Sequence, residues 1–192
     1  MLVLGCGALA RELLALTKAF DHIDVQCLPA ILHNHPERIT PAVRETVAKS
    51  TDYDRIFLAY ADCGTGGELA KLASDLNIEM MPGPHCYAFY QGTEDFLSRT
   101  SEEFTSFYLT DFLVRQFDAF VWKPLGLDRH PELRNSYFGH YKTLVYQAQI
   151  KDPALLEKAR DCADRLGLAF EHRVTGYGEL ASELNRFGHL AD

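Results

Sequence analysis

The sequence predicts an α/β fold with a layered, mostly parallel sheet of the Rossmann-like kind. Short apolar segments alternate with amphipathic segments along the 192 residues, as they do in β-α-β units. The runs 2–4 and 56–61 are continuously apolar, which is typical of parallel strands that are buried on both faces. A glycine-containing turn follows each run and precedes a helical pattern. A single domain 1–192 of this length can bury a normal core.

The spacing of apolar residues and the turn signals between them predict where each helix and strand begins and ends. Thr40-Pro41, for example, predicts a helix start, because proline is favoured at the first helical position. The first half is predicted as strand 2–4, helix 8–20, strand 23–28, helix 40–49, strand 55–61, helix 68–76 and strand 78–81. The last third is predicted as strand 143–147, helix 152–166, strand 169–174 and helix 178–187.

Residues 87–140 interrupt this pattern and predict a helical, aromatic-rich insertion in the single domain. Thr100-Ser101-Glu102-Glu103 fits a capping box, and Thr110-Asp111 is an alternative helix start. The aromatic block 104–120 is interpreted as a helix that faces the core. Together with 137–141, the same side chains would instead wall a small-molecule pocket, and the sequence leaves both readings open.

Charge and composition exclude several partners. The net charge is −8, from 19 basic against 27 acidic residues, and no basic stripe appears. We therefore expect neither nucleic acid nor an anionic membrane surface as the main partner. No apolar run is long enough to span a bilayer. An acidic chain without a leader is expected in the cytoplasm, where five cysteines serve as thiols or ligands rather than disulfides.

Three cysteines, Cys6, Cys63 and Cys86, fall where predicted strands end. In a parallel sheet such ends gather on one edge, where α/β proteins place their sites. Thiolates there, with His85 beside them, are ligands for zinc or an iron–sulfur cluster. Because His85 and Cys86 are adjacent, we expect only one of them to face the site if the segment is extended. The alternative is that all three cysteines simply fill tight, buried strand ends.

A second group of candidates follows the second predicted strand as His33-Asn34-His35. His33 is a candidate ligand or proton carrier, and Asn34 is a candidate substrate-orienting residue. The alternative is that both stabilise their own loop. Cys63 is also a candidate nucleophile, because a helix N-terminus lowers a thiol pKa, and His33 or His85 would then be its base.

The turn 64–67 is a candidate anion site, because glycine turns before helices present amide donors to phosphate-like groups. Its residues are Gly64, Thr65, Gly66 and Gly67. A nucleotide fingerprint is incomplete, since Gly5-x-Gly7 lacks the third glycine and no Lys-Ser/Thr pair follows the second turn.

Several dispersed motifs resemble a family known only as a domain of unknown function in bacteria and archaea. They are Cys6-Gly7-Ala8-Leu9, Leu32-His33-Asn34-His35-Pro36, Asp62-Cys63-Gly64-Thr65-Gly66-Gly67, Pro82-Gly83-Pro84-His85-Cys86-Tyr87 and Leu109-Thr110-Asp111-Phe112. The resemblance covers nearly the whole chain. Genes of that family often lie beside corrinoid proteins and methylamine-type methyltransferases, so the resemblance implies a role in one-carbon transfer without naming a reaction.

Three functions are compatible with these observations. In the first, a metal-binding protein assists corrinoid-dependent methyl transfer, with zinc or an iron–sulfur cluster held by Cys6, Cys63 and either His85 or Cys86. His33 and Asn34 would then orient a substrate, and the corrinoid would be carried by a partner protein. The second is a metal-free enzyme with Cys63 as nucleophile. The third is a binding or chaperone module without catalysis that presents a surface to a partner, for instance a corrinoid protein. The expected partners are therefore a small-molecule ligand or a corrinoid protein.

Overall fold

The computed structural model describes residues 1–99 and 104–191, and it confirms the α/β class. Every strand pair among these residues is parallel. The strands form two sheets rather than the one sheet predicted, with orders β2-β1-β3-β4 and β5-β6-β7 in the numbering below. The chain accordingly divides into two compact units, Met1–Phe89 with Tyr177–Asp192, and Tyr90–Gly176. The predicted capping box at 100–103 lies outside the described residues.

The elements predicted for the first half and the last third occur in the predicted order, with bounds that differ from the prediction by a few residues in either direction. The strands are β1 (Leu2–Cys6), β2 (Asp24–Leu28), β3 (Ile56–Ala59), β4 (Glu79–Met80), β5 (Ser106–Thr110), β6 (Thr143–Ala148) and β7 (Ala169–Val174). The described helices are α1 (Ala10–Thr17), α2 (Ile39–Lys49), α3 (Glu68–Asp75), α4 (Cys86–Gln91), α5 (Thr93–Ser98), α6 (Asp111–Arg115), α7 (Arg134–Phe138), α8 (Pro153–Leu166) and α9 (Gly178–Gly188). Short 3-10 turns at Gly7–Leu9, Ala30–Asn34 and Pro36–Arg38 connect the first of these elements.

In the first unit, β1 lies between β2 and β3, so the carboxyl ends of all three strands lie side by side. The register pairs Cys6 with Leu28 and Gly5 with Ala59. The central strands are continuously apolar because both faces are covered, and Leu4 and Leu58 are fully buried among side chains of α2 and α3. This packing fixes the strand ends that carry the candidate residues.

Position 7 requires glycine because the backbone of residues 28–30 lies too close to leave room for a side chain. A Cβ atom there would lie 2.7 Å from the Leu28 carbonyl oxygen and 2.8 Å from the Ala30 amide nitrogen. Neither atom belongs to a side chain that can rotate away. The turn after β1 therefore packs directly on the turn after β2, and this contact brings Cys6 and the segment 30–34 to one edge of the sheet.

The second unit has its own three-stranded sheet, and a buried carboxylate, that of Asp111, links the ends of two of its strands. Asp111 is 1% exposed and accepts hydrogen bonds from the Tyr146 hydroxyl at 2.7 Å and from the amides of Gln149 and Ile150, each at 3.2 Å. Arg115 lies 3.6 Å from the same carboxylate. These contacts satisfy the buried charge and connect the end of β5 to the end of β6.

The interpretation of 104–120 as one helix is wrong, because residues 106–110 form β5 and pair with β6. Aromatic and apolar residues on both faces of this strand hide the period-two pattern that marks a strand. The alternative helix start is confirmed: the Thr110 hydroxyl accepts a hydrogen bond from the Leu113 amide at 3.4 Å and caps α6. The segment 87–140 thus contains a strand as well as helices. Its residues 90–140 belong to the second compact unit, Tyr90–Gly176, and residues 87–89 belong to the first.

None of the helices in residues 1–99 and 104–191 has both the length and the apolar composition that a bilayer crossing requires.

Candidate functional site

The strand ends of the first unit surround a cavity of about 290 Å³. Cys6 is the last residue of β1, Cys63 follows β3, and Cys86 follows β4, so the predicted gathering of the three thiols at one edge is observed. The described residues that line the cavity are Cys6, His33, Pro36, Ile39, Tyr60, Cys63, Gly64, His85, Cys86 and Tyr87. None of these carries a carboxylate, ammonium or guanidinium group.

Backbone hydrogen bonds hold the segment that contains Cys63 against the segment that precedes Cys86. The Asp62 amide donates to the Gly83 carbonyl at 3.1 Å, and the Cys63 amide donates to the Pro84 carbonyl at 2.8 Å. His85 and Cys86 both line the cavity, which corrects the expectation that only one of them would face it. Cys86 is the first residue of α4, and successive side chains at a helix start diverge by about 100° rather than by the half-turn of a strand.

His33 reaches the cavity from the 3-10 turn Ala30–Asn34 that follows β2. Burial, and then the nearby His85, lower the pKa of His33. Burial also lowers the pKa of His85, against a smaller opposing effect of Asp62. Both imidazoles are therefore neutral at pH 7, the state in which histidine binds a metal or accepts a proton. Asn34 is absent from the described cavity lining, although it lies on the same turn.

The three thiols share an environment that opposes ionisation. Although each side chain keeps some exposure, desolvation by the surrounding protein raises the pKa values of Cys6 and Cys86. Desolvation, together with the neighbouring Cys6, raises the pKa of Cys63 to about 12. All three are neutral thiols at pH 7. The predicted lowering of the Cys63 pKa is wrong, because α3 begins only at Glu68 and burial outweighs any helix-terminal effect.

The backbone of Cys63 adopts the left-handed conformation, with φ of +50°. A residue with a Cβ atom pays about 1–2 kcal/mol for this conformation, which glycine adopts freely. Gly64, the next residue, has φ of +83°. Cys63 is thus a residue with a Cβ atom at a position that favours glycine, and backbone strain of this kind is common at functional sites.

Tyr60 is a site residue that the sequence reasoning missed. It follows the last residue of β3, is 1% exposed and lines the cavity. Its hydroxyl lies beside the Cys6 thiol and lowers the pKa of that thiol against the larger effect of burial. No described residue gives this hydroxyl a hydrogen bond of normal geometry. The available signal was a tyrosine at the end of an otherwise aliphatic buried run, next to a predicted site.

The predicted anion site at 64–67 already holds a carboxylate. Asp62 accepts hydrogen bonds from the Gly67 amide at 2.7 Å, the Gly66 amide at 3.2 Å and the Thr65 hydroxyl at 2.9 Å. Partial burial alone would raise the pKa of Asp62, but these bonds outweigh it and lower the pKa below its ordinary value. An external anion would have to displace Asp62, and only Gly64 of the four turn residues lines the cavity.

Across residues 1–99 and 104–191, no three His, Cys, Asp or Glu side chains are arranged to hold a metal ion. The chemistry of the donors nevertheless suits a soft or borderline metal, since three thiols and two neutral imidazoles face one cavity. Ligation would require these side chains to turn toward a common point within it.

The fold and site define a parallel α/β protein with a thiol-lined cavity at the carboxyl edge of its first sheet. The family model described as "Protein of unknown function (DUF1638)" matches residues 27–184, and the chain belongs to this family. The matched range contains His33, Cys63, His85 and Cys86, while Cys6 precedes it. The family description assigns no activity and no corrinoid association. No curated protein and no solved structure matches the chain.

Proposed function

We propose that the first unit binds a soft metal ion, with zinc as the first candidate, through Cys6, Cys63 and Cys86. His85 or His33 would supply a further donor. The observation that carries the proposal is the convergence of three thiols from three separate strand ends on one cavity without charged walls. Cysteine side chains that only filled strand ends would have no reason to share an open space of about 290 Å³.

The pKa values support a cation rather than a free thiolate as the partner of these residues. Desolvation keeps the three thiols neutral, so none of them is a ready nucleophile at pH 7. A divalent ion in the cavity reverses this effect, because a coordinating thiol is deprotonated outright. The left-handed backbone at Cys63 also supports a role that only the thiol can fill.

The cavity is large enough to hold more than a single metal ion. A volume of about 290 Å³ exceeds what one coordinated metal fills, so a small ligand or an iron–sulfur cluster would fit beside or in place of it. Zinc, when bound, supplies a Lewis acid that activates a coordinated thiol or water. The apolar and aromatic walls at Pro36, Ile39 and Tyr87 would exclude water from such a ligand.

We propose corrinoid-dependent one-carbon transfer in the cytoplasm as the wider setting, with a corrinoid protein as partner. The support for this setting is the sequence resemblance alone, whereas the metal site is supported by the residues around the cavity. His33 is the residue best placed to contact a substrate, because it lines the cavity and is neutral at pH 7. Asn34 would contribute from the same turn only through a change in the loop.

The test is elemental analysis and absorption spectroscopy of protein purified without oxygen and then reconstituted with zinc, cobalt or iron and sulfide. We expect one zinc per chain, or iron with broad visible absorption. Cys6→Ser, Cys63→Ser and Cys86→Ser should each lose the metal while they retain the circular dichroism of the folded protein. Cys162→Ser is the matched control, because Cys162 is a buried thiol in α8 that does not line the cavity.

Three results would contradict the proposal. Wild-type protein that takes up no metal in any reconstitution would refute the metal site. Fast alkylation of Cys63 alone in the metal-free protein at pH 7 would favour the nucleophile hypothesis instead. Loss of metal from Cys162→Ser to the same extent as from the site variants would indicate an unspecific effect of losing any thiol.

A further inference from the structure

We propose that the outer edge of β7 is a dimerisation surface, on which β7 of a second copy of this chain pairs antiparallel about a twofold axis at His172. The second sheet would then continue through both copies. β7 lies at the end of the strand order β5-β6-β7, so its outer edge has no strand partner among the described residues. This surface belongs to the second unit and does not depend on the metal site proposed for the first.

The backbone groups of alternate β7 residues point away from β6. The Ala169 amide donates to the Lys142 carbonyl at 3.0 Å, and the Thr175 amide, directly after the strand, donates to the Ala148 carbonyl at 3.0 Å. In a parallel ladder, residues that bond to one neighbouring strand alternate with residues that face the other side. Residues 170, 172 and 174 therefore direct their N–H and C=O groups outward, where an added strand would bind them.

The edge is exposed and lacks features that commonly prevent pairing. Glu171 and His172 are exposed, and Val174 is 55% exposed. β7 contains no proline and no lysine, and its register against β6 continues without a bulge through all six residues. Natural proteins use lysines, prolines and bulges to keep exposed strand edges apart. An edge without these features is suited to a partner strand.

The order of side chains along β7 is complementary to itself, and this selects a second copy as the partner. In an antiparallel pair centred on His172, Glu171 of each copy lies opposite Arg173 of the other. Within one chain these two side chains form an ion pair of 2.6 Å. Pairing would therefore join two ion pairs into one network of alternating charges. Opposite charges that face each other across antiparallel strands stabilise the pair, whereas like charges destabilise it.

The apolar residues of β7 match in the same way, since Phe170 of each copy would lie opposite Val174 of the other. Both residues are on the sheet face that α8 covers. The guanidinium of Arg160 in α8 lies 4.8 Å from the centre of the Phe170 ring, and Val174 lines an apolar groove of about 280 Å³ beside the start of α8. The twofold axis of such a pair is perpendicular to the sheet, so this face stays on the same side in both copies. A second copy would thus cover apolar surface that one chain leaves exposed.

The first measurement is sedimentation of the full chain over a range of concentrations, with three charge variants. Wild type should form a dimer. Glu171→Arg would place arginines opposite each other and Arg173→Glu would place glutamates opposite each other, so each should weaken dimerisation by about tenfold or more. The double variant Glu171→Arg/Arg173→Glu exchanges the two charges and should dimerise as wild type does. Far-UV circular dichroism checks that all variants fold.

A mixture of the two single variants separates the interface from effects within one chain. Glu171→Arg and Arg173→Glu each repel their own copies but are complementary to each other. An equimolar mixture should therefore form heterodimers, which energy transfer between fluorescently labelled chains detects. Loss of the ion pair within the chain cannot produce this result, because each single variant has lost that pair.

The second measurement needs only wild type. Amide hydrogen exchange at residues 170, 172 and 174 should slow as protein concentration rises, whereas exchange at residues 171 and 173, which face β6, should not change. A wild type that stays monomeric at every concentration would refute the second copy as partner, even if a strand of another protein binds this edge. A dimer that both single variants preserve, or whose outward amides exchange at a constant rate, would refute β7 as the interface.

Discussion

Replacement of Cys63 by glycine and by alanine tests whether the strained backbone at this position is kept for the thiol. Both variants remove the sulfur, so both should lose metal binding. They differ only in a Cβ atom on a residue with φ of +50°. The comparison therefore isolates the cost of the left-handed conformation from the loss of the side chain.

The magnitude follows from two opposing effects. A left-handed conformation costs a residue with a Cβ about 1–2 kcal/mol relative to glycine. Glycine in turn loses more conformational freedom on folding, which disfavours it by about 0.5–1 kcal/mol relative to alanine. The difference predicts that Cys63→Gly is more stable than Cys63→Ala by about 0.5–1 kcal/mol. At a position with ordinary negative φ, the same exchange would have the opposite sign.

The assay is urea unfolding of the metal-free variants, followed by far-UV circular dichroism. Fluorescence is unsuitable because the single tryptophan, Trp122, belongs to the second unit. Ala70→Gly in the exposed face of α3 is the control with helical backbone, and it should lose about 1 kcal/mol. If alanine is more stable than glycine at position 63 as well as at position 70, the inference of strain, and of a thiol kept despite it, is refuted.

Three further outcomes are expected. Metal affinity should fall as the pH is lowered, by up to about tenfold per pH unit for each ligating thiol, because all three thiols are protonated at pH 7 and must release their protons. Titration calorimetry in buffers of different ionisation heat counts the released protons, and release of fewer than three would contradict the three-thiol site. Asp62→Asn should lose about 1 kcal/mol of stability at pH 7. Because the folded-state pKa of Asp62 lies below 3.8, the stability difference between wild type and Asp62→Asn should persist above about pH 4 and vanish as the pH falls through that folded-state pKa. A stability difference that is the same at pH 3 and pH 7 would show that the charge of Asp62 is not its cause. Gly7→Ala should lower the free energy of unfolding by about 2 kcal/mol or more, because the new Cβ would meet backbone atoms of Leu28 and Ala30. Gly5→Ala should lower it less, because the Cβ there meets the movable side chain of Leu13. Equal losses of stability in thermal melts of the two variants would contradict this reasoning.

The sequence determined the parallel α/β class and the edge on which the candidate residues gather. Continuous apolar runs such as 56–61 are local signals of a strand buried on both faces. A cysteine placed directly after such a run must lie at the carboxyl edge, whatever the details of packing. For this reason Cys6, Cys63 and Cys86 were placed correctly, and the family resemblance was confirmed over residues 27–184.

Tertiary structure alone decided which strands share a sheet. β5 pairs with β6, a segment far along the chain, and its central residues 107–109 are Phe, Tyr and Leu in a row, so neither a clear alternation nor a nearby partner marked it as a strand. Non-local pairing depends on contacts that no short window of sequence contains. The same limit hid the division of the strands into two sheets.

The chemistry of the site was also decided by packing. The sequence places Cys63 before a helix and so predicts a lowered pKa, but burial and a neighbouring thiol raise it to about 12. The left-handed backbone at Cys63 and the unpaired hydroxyl of Tyr60 likewise depend on what surrounds them. Residue type and position along a strand are local properties, whereas desolvation and hydrogen-bond partners are set by atoms that only folding brings together.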